Sequence, residues 1–208
     1  MSIIEDLEWR YAVREFSDEV IPQEDIDELV EAVRLTPSSY GLQPYKLLVI
    51  KDQSIKSKLL AFSMGQTKAR DCSHLFVFAS QMNINDEYID THFQLTEKIR
   101  QLQEGTTNGF KQHVKDAILG MSENDRKHWA DQQAFIALGN LLTVAATKRI
   151  DACPMGGFEA EGYDKILNLK EKGLRSVVIC TLGYRSNADT SALSPKVREP
   201  LNSFCITN

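Results

Sequence analysis

The sequence predicts one domain of helices and three or four strands, and three observations lead there. The first is a single long apolar helix beginning at Ser122. The second is a pair of short, wholly apolar runs of strand length at 47–50 and 75–79, with a longer, largely apolar run at 174–182. The third is their order, which is not a regular βαβ alternation. The bulk numbers agree: 208 residues, 42% hydrophobic and 25% charged, are ordinary globular composition with enough apolar material for a core.

The helix organises the chain. Ser122-Glu123-Asn124-Asp125 fits a Ser-x-x-acid start, and Lys148-Arg149 place cations at the far end, where the helix dipole favours them. No charge falls between Asp131 and Lys148, and ten of the thirteen residues from Ala134 to Ala146 are apolar. A helix roughly 40 Å long and apolar all round is a buried core helix, below the ~20 apolar residues of a membrane span. In a chain of this size such burial predicts that part of it packs on a second subunit. The helix runs into a loop from Asp151, where Pro154 is expected to stop it. Gly156-Gly157 then leave a backbone whose N–H groups could touch a flat ligand.

From the N-terminus, Ile3, Ile4, Leu7 and Tyr11 fall on one helical stripe. Arg10 and Arg14 follow, four apart; such pairs are usually solvated charge, and the sharper alternative is a phosphate clamp, because guanidinium forks match phosphate oxygens. Pro22 opens a helix with Ile26, Leu29, Val30 and Val33 inward, ending before Pro37. The uncharged loop Pro37-Ser38-Ser39-Tyr40-Gly41-Leu42-Gln43-Pro44 is either a plain connection or a hydrogen-bonding surface for a heterocycle or a sugar chain. Leu47–Ile50 and Leu75–Ala79 are expected to be central strands covered on both faces, with a helix capped by Ser54 between them. Asp86 to about Gln103 is expected to be helical, with Ile89, Phe93, Ile99 and Leu102 inward. A flexible stretch at 104–109 and a second helix to about Leu119 complete a candidate pocket cover. A short helix at 163–169, a strong strand at 174–182, a polar loop at 186–200 and a last strand at 202–206 end the chain.

The net charge of −5 argues against a nucleic-acid surface. The first residues lack a signal-peptide pattern, and Cys72, Cys153, Cys180 and Cys205 form no C-x-x-C pair, so a cytoplasmic protein with buried, reduced thiols is expected. Cys153 beside the glycines is the one thiol with a conceivable redox role. The four histidines have no metal-ligand spacing, so no metal site is expected. No dinucleotide fingerprint, P-loop or nucleophile elbow is present.

Four elements in this order resemble the nitroreductase family of FMN-dependent oxidoreductases: Arg10–Phe16, Pro37–Pro44, Pro154–Phe158, and Leu182-Gly183-Tyr184-Arg185 with Lys196-Val197-Arg198. The resemblance covers nearly the whole 1–208 chain. It implies an α+β sandwich with a mixed central sheet covered by helices, and an intertwined homodimer whose C-terminal strand joins the partner's sheet. It further implies FMN at the interface and NADH or NADPH as co-substrate, with a ping-pong reaction toward nitroaromatic, quinone or similar conjugated acceptors. A dedicated pteridine or enal reductase, or a non-catalytic flavin-binding module, are the alternatives. Arg10, Lys196 and Arg198 resemble phosphate ligands, with Tyr11 and Ala12 beside them. Arg14 and Lys68 resemble the cations at the flavin's pyrimidine edge. Ser38, Ser39, Tyr40 and Gln43 are similar to the loop along the ring and ribityl chain, contributed by the other subunit. Pro154, Met155, Gly156 and Gly157 resemble the segment against one ring face, with a backbone N–H toward N5. Some family members carry Asn where Gly65 stands, which passes that contact to Gln66, and many carry an acid in place of Gly156. No side chain stands out as a catalytic acid or base.

Overall fold

The computed structural model describes residues 2–207; Met1 and Asn208, the ends of the expected 1–208 domain, lie outside them. Its strands are β1 (Tyr45–Ile50), β2 (His74–Gln81), β3 (Asp151–Met155) and β4 (Leu174–Gly183), in the order β1-β2-β4-β3. All three pairings are antiparallel, and one isolated parallel bridge, from Ala12 to Ala152, lies beside β3 outside the four strands. The helices are α1 (Ile3–Trp9), α2 (Gln23–Arg34), α3 (Gln53–Leu60), α4 (Lys68–Asp71), α5 (Asp86–Arg100), α6 (Asn108–Leu119), α7 (Glu123–Thr147), α8 (Ala160–Ile166) and α9 (Leu201–Phe204).

Strand β2 explains the layering. Successive residues face opposite sides. Leu75, Val77 and Ala79 join Val13, Phe16, Leu59 and Tyr163 in one core. Phe76 and Phe78 join Leu29 and Val33 of α2 and Leu141 and Ala145 of α7 in the other. In β4 a bulge changes the phase: Phe78 pairs with Val178 and Ala79 with Ser176, which leaves Val177 as the extra residue. A third, smaller core ties the α5–α6 hairpin to the start of α7 through Ile89, Phe93, Val114, Ile118 and Ala130.

Helix α7 runs as expected, with Ser122 Oγ accepting from the Asp125 N–H at 3.1 Å. Its burial is one-sided, however: Phe135 and Ile136 are 51% and 48% exposed. It ends at Thr147 because Arg149 turns the chain in the left-handed region, at φ 57°, not because of Pro154. Pro154 lies within β3, an edge strand where a missing N–H is tolerated. The expected glycine loop from Asp151 is therefore half strand.

Other expectations shift for local reasons. The Ile3, Ile4 and Leu7 stripe is exposed, Tyr11 lies beyond the helix, and the residue that α1 buries is Asp6, which pairs with Arg149 at 2.7 Å. Strand β1 is an edge strand: Val49 pairs with Phe76 on the face covered by α2 and α7, but at the sheet edge it stays exposed and is not covered. Asp52, not Ser54, caps α3, accepting from the N–H groups of Ser54 and Ile55. Helix α5 stops at Arg100, where Gln101 turns left-handed; Ile99 lies off its buried Ile89–Phe93 face and Leu102 lies beyond its end, and both are exposed. The 104–109 stretch is tied down by the Glu97 carboxylate, which accepts from Gly105 N and from Thr107 N and Oγ1. Helix α8 begins three residues early, at Ala160. The expected strand at 202–206 is a helical turn here, α9, started by Pro200.

Candidate functional site

Two sequence motifs explain each other. After α1 the chain turns extended at Arg10 and runs along the β3 edge, where Ala12 bridges to Ala152 and Phe16 to Arg185. The Phe16 ring sits where any side chain at residue 183 would be: a Cβ on Gly183 would lie 2.6 Å from it. Arg185 then reaches back, ion-pairing with buried Asp151 at 2.6 Å. Its guanidinium lies 4.3 Å over the Trp9 ring and 4.6 Å over Tyr11. Stacking of this kind fixes the rings on either side of Arg10.

The C-terminal arm closes on this segment through Asp189, which is 7% exposed. Its Oδ2 accepts from the Arg14 N–H (2.7 Å), the Tyr11 hydroxyl (2.9 Å) and the Glu15 N–H (3.2 Å). Its Oδ1 accepts from the Ser191 N–H at 3.0 Å. Burial pushes this carboxyl upward, but the bonds from Arg14, Tyr11, Glu15 and Ser191 outweigh it and hold the group at about 2. Burial and the same bond to Asp189 push the Tyr11 phenol up, so its hydroxyl is committed inward.

Beyond Asp189 the arm brings Lys196 to Arg10, where the ammonium donates to the Arg10 carbonyl. Lys196 is exposed overall, and partial desolvation of its ammonium, then the nearby guanidinium groups of Arg10 and Arg198, push it down against an opposite pull from Glu8. Arg10 Nε is buried with no hydrogen-bond partner. Among the described residues no acid ion-pairs with Arg10, Arg14, Lys68, Lys196 or Arg198. Crowded cations with an unsatisfied buried donor are chemically suited to a phosphate dianion.

Arg14 and Lys68 line one groove of about 1220 Å³. Close to Lys68 in sequence, Met64 and Gly65 are both left-handed, at φ 51° and 72°, and this turn puts Gln66 against the glycines: Nε2 donates to the Gly157 carbonyl at 3.0 Å. Gly156 is exposed, with open space where a side chain would stand. Met155 points into the core at 4% exposure and Pro154 is half-buried, so Met155 offers a ligand only its backbone. Cys153 is buried beside it, as are Cys72 and Cys180, whereas Cys205 is exposed, against the expectation of four buried thiols.

The loop from Ser38 to Gln43 stands apart. Ser39 N donates to Gln133 Oε1 and Gln43 N to Ser38 Oγ, each at 2.9 Å. The Gln43 amide donates to the Arg34 carbonyl, and the Tyr88 hydroxyl lies against the carbonyls of Leu42 and Gln43. Tyr40, left-handed at φ 56°, meets Phe110 and His113 of α6 edge-on at 6.2 Å. Among the described residues no hydrogen bond or ring contact joins this loop to the clamp or to the glycines. Sequence reasoning missed Asp189, Asp151 and the inward role of Arg185. The one local hint was Asp189 two residues before Ser191, an Asx-turn spacing.

The sequence model of the nitroreductase family matches residues 7–184. The chain belongs to the nitroreductase family. A Staphylococcus aureus (strain USA300) protein provisionally named NAD(P)H nitroreductase is 32% identical over 196 residues, or 88% of this chain and 86% of its own length. Two solved nitroreductase structures share the fold. One, from Bacillus subtilis, has TM-score 0.87 at 24% identity, covering 99% of this chain and 98% of its own. The other, from Exiguobacterium sibiricum and solved in complex with FMN, has TM-score 0.84 at 19% identity, covering 100% and 98%. No helix among the described residues is long and apolar enough to cross a membrane.

Proposed function

We propose that this nitroreductase-family chain is an FMN-dependent NAD(P)H oxidoreductase working as a homodimer. The observation that carries the reading is the buried, unpartnered Arg10 Nε beside Lys196 and Arg198, cations drawn from the two ends of the chain with no acid to pair them among the described residues. That donor set fits the FMN phosphate. Bound FMN would supply hydride transfer by a ping-pong route, from NADH or NADPH to a nitroaromatic, quinone or similar conjugated acceptor.

The chain's residues do the holding and the polarising. Arg10, Lys196 and Arg198 hold the phosphate, and Tyr11 and Ala12 shape the adjoining backbone. Arg14 and Lys68, facing one groove, stabilise negative charge developing at the pyrimidine edge. Gln66 keeps the Pro154–Gly157 segment in place, so that a backbone N–H of Gly156 or Gly157 can donate toward N5. The absence of a side chain at Gly156 leaves room for two reactants to approach in turn.

The second copy is needed for the rest. Ser38, Ser39, Tyr40 and Gln43 would line the ring and ribityl chain of the other subunit's FMN. The Gln43 amide is already spent on Arg34, so Gln43 would act through its oxygen or its backbone. Exposed Ile3, Ile4, Leu7, Phe135 and Ile136 form an apolar surface suited to burial in that dimer. The arm with exposed Val197, Leu201, Phe204 and Ile206 would cross to the partner and exchange its helical turn for a strand there.

The test is the visible spectrum of the purified protein before and after anaerobic NADH or NADPH. A yellow protein that bleaches is the expected result. A colourless protein that cannot take up FMN would defeat the proposal.

A further inference from the structure

We propose that Asp189 is the positioning residue of the phosphate clamp: one carboxylate that sets the spacing between its N-terminal half, Arg10, and its C-terminal half, Lys196 and Arg198. This rests on the FMN reading and adds a residue to it. Asp189 touches no ligand group in that reading. It works through the two chain segments it joins.

The geometry is specific. Four donors converge on the two oxygens, three from residues 11–15 and one from Ser191. The segments are 174 to 178 positions apart in sequence. Among the described residues, no other side-chain hydrogen bond joins residues 10–15 to the 189–198 arm except the Lys196 bond to the Arg10 carbonyl, which belongs to the clamp itself. No lysine or arginine nitrogen among them ion-pairs with Asp189, so its charge is balanced by aligned N–H and O–H donors. An acceptor-only group is required: every partner is a donor, and each carboxylate oxygen is used. An asparagine has the same shape but must turn its NH2 either toward Ser191 N–H or toward the Arg14, Glu15 and Tyr11 donors. Either orientation sets donor against donor and loosens the hold on one segment. The backbone bonds from the Ser186 N–H to the Glu15 carbonyl and from the Ser17 N–H to the Tyr184 carbonyl still anchor the start of the arm, so the loss loosens residues 189–198 over Arg10 and widens the spacing between Arg10 and Lys196.

FMN and riboflavin differ only in the phosphate, so their affinity ratio reads the clamp directly. The full-length wild type and Asp189→Asn are titrated with each flavin. The expected result is that Asp189→Asn lowers the preference for FMN over riboflavin by about tenfold or more, while riboflavin affinity moves by less than about threefold. Tyr11→Phe, which removes one of the four bonds, should lower the ratio by a smaller factor. If Asp189→Asn does not fold, Tyr11→Phe decides alone by the same ratio. A residue that merely stabilises the chain would weaken both flavins equally; that outcome, or an unchanged ratio, overturns the inference while leaving the FMN site standing. A wild type that binds neither flavin overturns the FMN reading and this inference with it.

Discussion

The two halves of the candidate site are built differently. The half around Arg10, Arg14, Lys68, Gln66 and Gly157 is assembled within one chain, from segments far apart in sequence, and it ends in cations that no described acid pairs. The half at Ser38–Gln43 is held by α2, α5 and α7 through Arg34, Tyr88 and Gln133, and among the described residues it makes no hydrogen bond to those cations. The first half is charged and unsatisfied; the second is neutral and internally satisfied. An unsatisfied half calls for a charged ligand. A satisfied, neutral half can be presented ready-made to a ligand held by another copy. That division is what an interfacial cofactor site requires of each chain.

The most damaging change to the first half should be Arg10→Glu. It removes a charge-assisted donor and sets a carboxylate beside the place proposed for phosphate, so FMN affinity should fall at least about a hundredfold. Bound flavin per chain after desalting checks this, and a full flavin complement in the variant would return Arg10 to surface charge. The next largest effect should come from outside both halves. Ile136→Asp puts a carboxylate on the apolar surface of α7, 48% exposed in the single chain. The chain should keep its helical circular dichroism, fail to form the proposed dimer by light scattering and bind FMN about tenfold or more weakly, because in that dimer the Ser38–Gln43 loop would no longer reach the other copy's cations. A monomeric variant with wild-type flavin affinity would show that one chain makes the whole site.

Much of this division was legible in the sequence, for uneven reasons. The helix from Ser122 was readable because capping, charge spacing and apolar content all point one way. The Arg10, Lys196 and glycine positions came from motif order. What stayed hidden depends on partners far away in the chain. Strand β3 carries a proline and an aspartate, poor strand formers, and exists because β4 pairs with it and Arg185 neutralises Asp151. The outward face of α7 cannot be told from its inward face when both are apolar. Asp189 lies in a polar stretch whose only marker is a single Asx-turn, and its value comes from Tyr11 and Arg14, 178 and 175 positions away. The 202–206 segment has the composition of a strand and no strand beside it among the described residues of its own chain.

Acid should separate the two halves in the smallest and most specific way. Asp189 is held at about 2, below an ordinary 3.8. A carboxyl lowered in the folded state adds stability that is complete above about pH 4 and is lost as pH falls toward 2; the full effect is ~2 kcal/mol. Among the described residues no carboxylate hydrogen-bonds to the Ser38–Gln43 loop, which is held by an amide, a phenol and a hydroxyl. Between pH 4 and pH 2, therefore, amide protection at Arg14 and Glu15 should weaken relative to that at Ser39, whose N–H goes to Gln133. Hydrogen exchange read against this internal reference removes the general effect of acid on exchange rates. In Asp189→Asn the difference between the two sites should no longer depend on pH. If Arg14 and Ser39 instead lose protection together in the wild type, the two halves open as one unit, and the contrast between a charged, carboxylate-tied half and a neutral one does not extend to their stability.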